Sequence, residues 1–377
     1  MKKRAGRNPS TQTTGRGHSR PVVVSVFGTR PQLIKLGAIW RPLEQAFESI
    51  LIDSGQHYDD NLAGVFYGGR RLRRPDHFLN IRADSPARQI GRIADALDGI
   101  LGRISPNAVI VYGDTSTTAG AAIAAAYRGI PLAHVEAGLR SFDLSSPEEK
   151  NRLIADHLAN WLFCPTRTAM NNLKSEGTRG RIFGVGDLLY ENFLANSTHK
   201  SPDKLLEKFG LTERQYLFVT CHRAETVDRR DGLSRVIDIL LSLDTPLVFP
   251  VHPRTKRRLI QFGLWRKLRD ARHTRLSEPL DHDTTLASIR SARAVLTDSG
   301  GVQREACWSG TPCLTLRDRT EWTELVACGA NRVVGLDLET IRRSLTRRAV
   351  ISRVTDPVFR RRKVSQHIVR ALVREVP

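Results

Sequence analysis

Little in this 377-residue chain points to a membrane, a structural metal or an oxidising compartment. Its 5 cysteines are odd in number and show no CxxC spacing, which excludes a disulfide framework and a zinc ribbon. No apolar run approaches the roughly 20 residues needed to cross a bilayer. The start is basic and polar with no apolar core behind it, unlike a secretory leader. Neither GxGxxG nor GxxxxGK[ST] occurs, and Gly184-Val185-Gly186 lacks the third glycine, so a nicotinamide dinucleotide loop and a P-loop are both absent. Aromatic residues make up only 6% and are not interleaved with Arg, so there is no base-stacking platform. Acids are scarce relative to bases: 39 Asp and Glu against 59 Lys and Arg give a formal charge of +20. The bases are spread along the chain, apart from an acid-free head and a short run from Arg360 to Lys363. Charge of this kind speaks to partners and solubility rather than to fold. The expectation is a soluble cytoplasmic protein with a disordered basic tail, residues 1–20, and no membrane or specific nucleic-acid partner.

What is present is a globular composition, 40% hydrophobic and 26% charged, on a chain long enough for two domains. Short β-branched runs at Val22–Phe27, Ile50–Ile52, Ala108–Val111, Leu132–Val135, Trp161–Cys164 and Ile182–Val185 read as buried strands. Helical patterns near Ala83–Leu101 and Thr115–Tyr127 lie between them. The pattern restarts with strands at Tyr216–Thr220, Pro246–Pro250, Ala294–Thr297 and Cys313–Leu316, and helices near Leu233–Leu243, Arg254–Gln261 and Gly301–Trp308. Strands alternating with helices argue for parallel α/β sheets. The polar stretch Asn196–Asp203 is the linker candidate. The reading is two Rossmann-like domains facing a cleft, residues 21–195 and 204–356, with a last helix in 357–377 that could pack on either half, the first included. Ligands in such sheets bind beyond the carboxyl ends of the strands, so the residues just after each strand carry the functional question.

After the first strand, Gly28 permits a tight turn and Pro31 suits a first helical position. The open N–H groups there and Arg30 favour an anion; a plain strand-to-helix turn is the alternative. Asp114 follows another strand and would need no explanation as an N-cap. Glu136 follows the next, and Glu148 with Glu149 opens a helix, where an acid pair commonly answers the dipole. Three acids converging near an anion site would also suit proton transfer at carbon. The second half offers Cys221-His222-Arg223, His252-Pro253-Arg254 and Asp298-Ser299-Gly300-Gly301. In the last of these, backbone N–H groups can approach a diphosphate, and Glu305, one turn on, could take a ribose diol. Asp281-His282-Asp283 could bind a metal but reads better as a helix cap.

With these pieces in order, the chain resembles the non-hydrolysing UDP-N-acetylglucosamine 2-epimerases. The matching motifs are Gly28-Thr29-Arg30-Pro31, Ser54-Gly55-Gln56-His57-Tyr58-Asp59, Tyr112-Gly113-Asp114-Thr115 and His134-Val135-Glu136-Ala137-Gly138-Leu139-Arg140. Pro147-Glu148-Glu149 with Asn151-Arg152, His222-Arg223, His252-Pro253-Arg254 and Asp298-Ser299-Gly300-Gly301 complete the set. The resemblance implies a glycosyltransferase-B-like fold, a homodimer and a UDP-sugar substrate, with no metal and no other cofactor. It implies that a base removes H2 as UDP leaves, giving a glycal to which UDP returns while a proton arrives on the opposite face of C2. Asp114, Glu136 and Glu148 would be the acid–base set. His222 would steady the diphosphate with Arg30, Ser299 and Gly300 would cradle it, and Glu305 would hold the ribose. Lys35, Gln56, His57, Arg140, Arg152, Arg223, His252 and Gly301 are further expected substrate contacts.

Some residues depart from the family's common pattern. Gln32 stands where Glu is usual, Glu321-Trp322-Thr323-Glu324 replaces Glu-Arg-Pro-Glu, and Arg304 replaces Glu. The first two, with Val185-Gly186-Asp187, resemble the branch acting on UDP-2,3-diacetamido-2,3-dideoxy-glucuronic acid. A neutral Gln32 would remove a charge repelling a sugar carboxylate, and Arg304 would add attraction. A hydrolysing epimerase and a glycosyltransferase of the same fold are the rival enzyme readings.

Overall fold

The computed structural model describes residues 20–56, 72–83, 85–196, 201, 203–346, 351–352 and 354–377. His57, nearly all of the basic head and most of the expected linker lie outside them.

The β-branched runs of the first half become β1 (Val22–Phe27), β2 (Glu48–Asp53), β3 (His77–Phe78), β4 (Ala108–Tyr112), β5 (Leu132–Val135), β6 (Trp161–Cys164) and β7 (Arg181–Gly184). They form a seven-stranded parallel sheet in the order β3-β2-β1-β4-β5-β6-β7. The second half gives β8 (Leu217–Thr220), β9 (Leu247–Pro250), β10 (Thr274–Ser277), β11 (Ala294–Thr297), β12 (Cys313–Thr315) and β13 (Asn331–Val333). These make a six-stranded parallel sheet ordered β10-β9-β8-β11-β12-β13. Helices cover both faces, so the central strands are apolar on both sides. Val24 and Val26 pack into one core layer while Val23 and Phe27 pack into the other. The strand order of each sheet reverses once, at β1/β4 and at β8/β11. A crevice opens at such a reversal because the connections leave in opposite directions, which makes these two points the natural walls of a ligand cleft. The fold is the expected α/β arrangement of two Rossmann-like sheets.

Three strands gave no sequence signal: β3, β10 and β13. Each is an edge strand with one neighbour, so residues such as Thr274 and Arg275 or Asn331 and Arg332 need not form an apolar run. The helix expected near Ala83–Leu101 starts later than its apolar pattern, at Pro86, because Ser85 caps it by accepting from Arg88 N. The last helix also starts late, spanning Val364–Glu375, because Lys363 adopts a left-handed φ of +57°. Val364, Ile368, Val369 and Leu372 join the core layer of the first sheet beside Leu36, Ile39 and Leu43. The chain thus returns to its first half at the end.

Candidate active site

The turn after β1 forms because Gly28 lets the backbone pass Ser54 closely: a Cβ there would sit 1.9 Å from Ser54 Oγ. The helix Arg30–Ala46 follows, with Pro31 in its first turn and a capping box between Thr29 and Gln32. Gln32 Oε1 accepts from Gly28 N and Thr29 N at 2.9 and 3.1 Å. Its Nε2 donates to Tyr112 O, Thr115 Oγ1 and Thr118 Oγ1 at 2.8, 2.9 and 3.1 Å. Gln32 therefore joins the ends of β1 and β4, a structural role beside the sugar-pocket role that the sequence suggested.

Glu136, the residue immediately after β5, has φ +74°, a region a residue with a Cβ seldom enters. Such an outlier is worth testing for function. Lys35 Nζ lies 2.7 Å from Glu136 Oε1, and Arg304 Nη1, from the other half, lies 2.9 Å from Glu136 Oε2. Burial would push the Glu136 carboxyl up, but Lys35 and then Arg304 outweigh it and hold it well below the usual carboxylate range. Arg304 Nη1 also reaches Asp187 Oδ2 at 2.6 Å. Burial, together with repulsion from Glu136, keeps Asp187 raised despite that contact.

The bland alternatives for the other two acids divide. Asp114 is not a cap: Thr115 caps the helix Ser116–Tyr127, and the Asp114 carboxylate pairs with Arg152 while its carbonyl accepts from Asn151 Nδ2 at 3.0 Å. Glu149 is structural, accepting from Ser141 N and Phe142 N at 3.0 Å each and from Arg152 at 2.9 Å. Glu148 instead faces the second half, 3.0 Å from Arg223 Nη1, with Ser146 Oγ donating at 2.7 Å. Burial opposes its ionisation, but Arg223 and the Ser146 bond more than offset that and lower the carboxyl.

In the second half, Asp298 ties the two switch-point strands together, its Oδ2 accepting from His222 N and Arg223 N at 2.7 Å each. The His222 ring lies 5.4 Å from that of His252, and its side chain is 37% exposed, with Nδ1 3.6 Å from Asp298 Oδ1. Arg30 reaches across to Leu280 O at 3.2 Å. Burial lowers its pKa, against the pull of Glu305 and Asp281. Glu305 Oε1 accepts from His282 Nε2 at 2.9 Å. Ser299 precedes the helix Gly300–Trp308 without making a side-chain cap bond. Gly300 has no room for a Cβ, which would stand 2.8 Å from Glu321 Oε1 and 3.0 Å from Trp322 Nε1, whereas Gly301 would meet only Ser299 Oγ at 3.8 Å. The smallness of Gly300 is thus explained inside the protein, without invoking a diphosphate.

Two expected contacts are occupied elsewhere. Arg140 donates to Asp156 and Leu139 O, each at 2.7 Å, and to Glu176 at 2.7 and 2.6 Å. Asp156 in turn bonds His134 at 2.7 Å. This makes Arg140 a buried brace. Gln56 binds Thr117 N and Oγ1 at 3.1 and 2.8 Å, steadying the helix start after β4. The sequence reading gave no role to Arg317, which bonds Glu225 and Glu321, each at 3.0 Å. Its place just past β12 is the signal that could have found it. Asp281 caps the helix His282–Ser291, and no cluster of three metal-ligating side chains occurs among the described residues. No helix among them is long and apolar enough to cross a membrane.

The family profile described as UDP-N-acetylglucosamine 2-epimerase matches residues 42–373. A UDP-N-acetylglucosamine 2-epimerase homolog of Methanococcus maripaludis is 38% identical over 327 residues, covering 86% of this chain and 92% of that protein. The UDP-2,3-diacetamido-2,3-dideoxy-D-glucuronate 2-epimerase of Pseudomonas aeruginosa is 36% identical over 322 residues, covering 83% and 88%. The crystal structure of the Methanocaldococcus jannaschii UDP-GlcNAc 2-epimerase in complex with UDP-GlcNAc and UDP superposes with a TM-score of 0.86 at 35% identity, covering 94% of this chain and 99% of that one.

Proposed function

Because the chain belongs to the UDP-N-acetylglucosamine 2-epimerase family, we propose that it is an isomerase converting UDP-GlcNAc to UDP-ManNAc by inverting C2. The observation that carries this reading is the buried Lys35–Glu136–Arg304 bridge, which keeps a carboxylate ionised between the two switch points. A carboxylate so held can accept a proton from carbon. Asp114 and Glu148 supply carboxyl groups from neighbouring strand and helix ends, so proton transfer on opposite faces of C2 has its groups at hand. Arg30, His222 and Ser299 line the two sides where a departing diphosphate would gather charge, and fixed donors there stabilise it as the C1–O bond breaks. Glu305 would hold the ribose. His252, Arg152, Arg223 and Gly301 complete the proposed contacts. The same reading has the protein work as a homodimer in the cytoplasm, on sugars destined for polysaccharide.

A second substrate, UDP-2,3-diacetamido-2,3-dideoxy-glucuronic acid, draws support from the Glu321-Trp322-Thr323-Glu324 segment, from Val185-Gly186-Asp187 and from the Pseudomonas aeruginosa relative. Incubation with each UDP-sugar in deuterated water, followed by NMR at C2, tests both. Deuterium at C2 with UDP retained on the sugar is the expected result. Accumulating free UDP would instead indicate a hydrolysing epimerase. Transfer to an acceptor without C2 exchange would overturn the epimerase reading.

A further inference from the structure

Glu136 is gripped from both halves of the molecule. Lys35 comes from the helix after β1 and approaches Oε1. Arg304 comes from the helix after β11 and approaches Oε2. Arg304 is itself fixed by its own half: Nε donates to Gly300 O at 3.2 Å, and the guanidinium carbon stands 4.0 Å from the Trp322 ring centroid. The same guanidinium carries Asp187, so two carboxylates of the first half share one cation of the second. Both Arg304 and Asp187 are buried, where water does little to screen them. Nε and Nη1 of Arg304 are thus both engaged inside the protein.

We propose that Arg304 is a positioning residue for Glu136, delivered across the cleft to fix the orientation and the ionised form of the carboxylate that moves the C2 proton, with Asp187 competing for the same guanidinium. The inference rests on the assignment of Glu136 to proton transfer. The charges facing Glu136 are Lys35 and Arg304 in contact, with Arg152 of the helix Pro147–Leu158 and Asp187 further off. Removing Arg304 takes away a cation and leaves Asp187 to repel Glu136, so Glu136 protonates more easily. Removing the charge of Asp187 has the opposite sign, because Arg304 then serves Glu136 alone. A purely structural role would give both substitutions the same consequence, since each breaks one buried ion pair.

The test is a direct titration of Glu136 by carbon-13 NMR of labelled glutamate carboxyls, the resonance assigned by its loss in Glu136→Gln. It is paired with the pH profile of kcat for C2 exchange. In Arg304→Gln the Glu136 titration should rise by about 1 pH unit or more, the usual size for loss of an opposite charge at this range, and the acid limb of kcat should rise with it. Arg304→Lys should restore part of the shift. Asp187→Asn should leave the titration in place or lower it, and gives an answer even if Arg304→Gln folds poorly. If Arg304→Gln and Asp187→Asn both raise the Glu136 titration, or neither changes it while C2 exchange persists, the inference is overturned. No C2 exchange in the unsubstituted protein with either UDP-sugar would overturn the parent reading instead. The carboxyl titration then still decides whether Arg304 governs Glu136.

Discussion

Arg304 stacks on Trp322, guanidinium carbon to ring centroid 4.0 Å, while its Nη1 bridges Glu136 and Asp187. In sequence these positions are scattered, and three of them depart from or mark a branch of the family pattern. In space they are one feature. The indole supports the guanidinium, and the guanidinium reaches the acid at the end of β5. A change at Trp322 therefore acts through Arg304, and the two departures should be varied together.

Asp114→Asn, Glu136→Gln and Glu148→Gln should each fold normally and lose at least about a hundredfold in turnover, the common size of a general acid–base contribution. Melting curves check the folding, and C2 exchange rates check the loss. Near-normal turnover in any two of the three would show that the acid–base roles are wrongly assigned.

Arg30→Ala and Ser299→Ala should each weaken UDP binding, by about 1.5–3 kcal/mol for the charged contact and less for the neutral one. The motive is their position on opposite walls of the cleft, with Arg30 already reaching Leu280 O. Calorimetry that finds the UDP affinity of Arg30→Ala unchanged would remove the first half from the diphosphate site.

Arg140→Ala should behave differently from every substitution above. It leaves Asp156 buried with His134 as its remaining side-chain partner, so stability should fall by about 3–5 kcal/mol. Turnover per folded molecule should stay close to normal. Chemical denaturation measures the first, and kinetics at low temperature the second; a stable variant with poor turnover would return Arg140 to the substrate site.

Gln32→Glu should destabilise rather than redirect the enzyme. A carboxylate cannot donate to Tyr112 O, which Gln32 Nε2 holds at 2.8 Å, and an unmade buried bond costs about 1–3 kcal/mol. The ratio of kcat/KM for UDP-GlcNAc to that for the diacetamido-uronic sugar should not change. A clear swing in that ratio would restore Gln32 as a sugar determinant.

Stability should also fall on acidification. Burial opposes ionisation of Glu321, but Arg223, Arg317 and Arg152 overcome this and hold it at about 2, against an ordinary 4.5. A depressed carboxyl adds stability above its unfolded pKa and loses it as pH falls through the folded one. The loss should run from about pH 4.5 down to 2 and amount to roughly 3 kcal/mol for this group alone. Urea melts at stepped pH should show a shallower slope in Glu321→Gln; an identical slope would rule out this source.

The central strands were legible because both faces of β1, β4, β8 and β11 are buried, which forces continuous apolar runs. The strand ends were legible because the switch-point rule says where to look. Side-chain direction was not legible. Arg30 and Arg140 both follow strands in motif-like surroundings, yet Arg30 crosses to Leu280 and Arg140 turns inward to Asp156. Only the placement of the partner carboxylate, set by the helix Pro147–Leu158, separates the two. Gln32 is a similar case: its neutral amide reads in sequence as an adjustment to the sugar, and the donor it supplies to the carbonyl at the end of β4 shows only in the structure.

The return of the helix Val364–Glu375 to the first sheet has a consequence for synthesis. Leu36, Ile39 and Leu43 share a core layer with Val364, Ile368 and Leu372, so on the ribosome the helix Arg30–Ala46 waits for some 320 further residues before its apolar cover exists. The second sheet waits far less, because the last side chain of its core, Ile341, comes from the helix Leu338–Thr346 just after β13. A nascent chain stopped before Val364 should accordingly bind a hydrophobic dye, or a holding chaperone, through its first half alone, and lose that binding once the closing helix is supplied. Loss of the helix Val364–Glu375 would then be felt near residue 40, far along the sequence from the break.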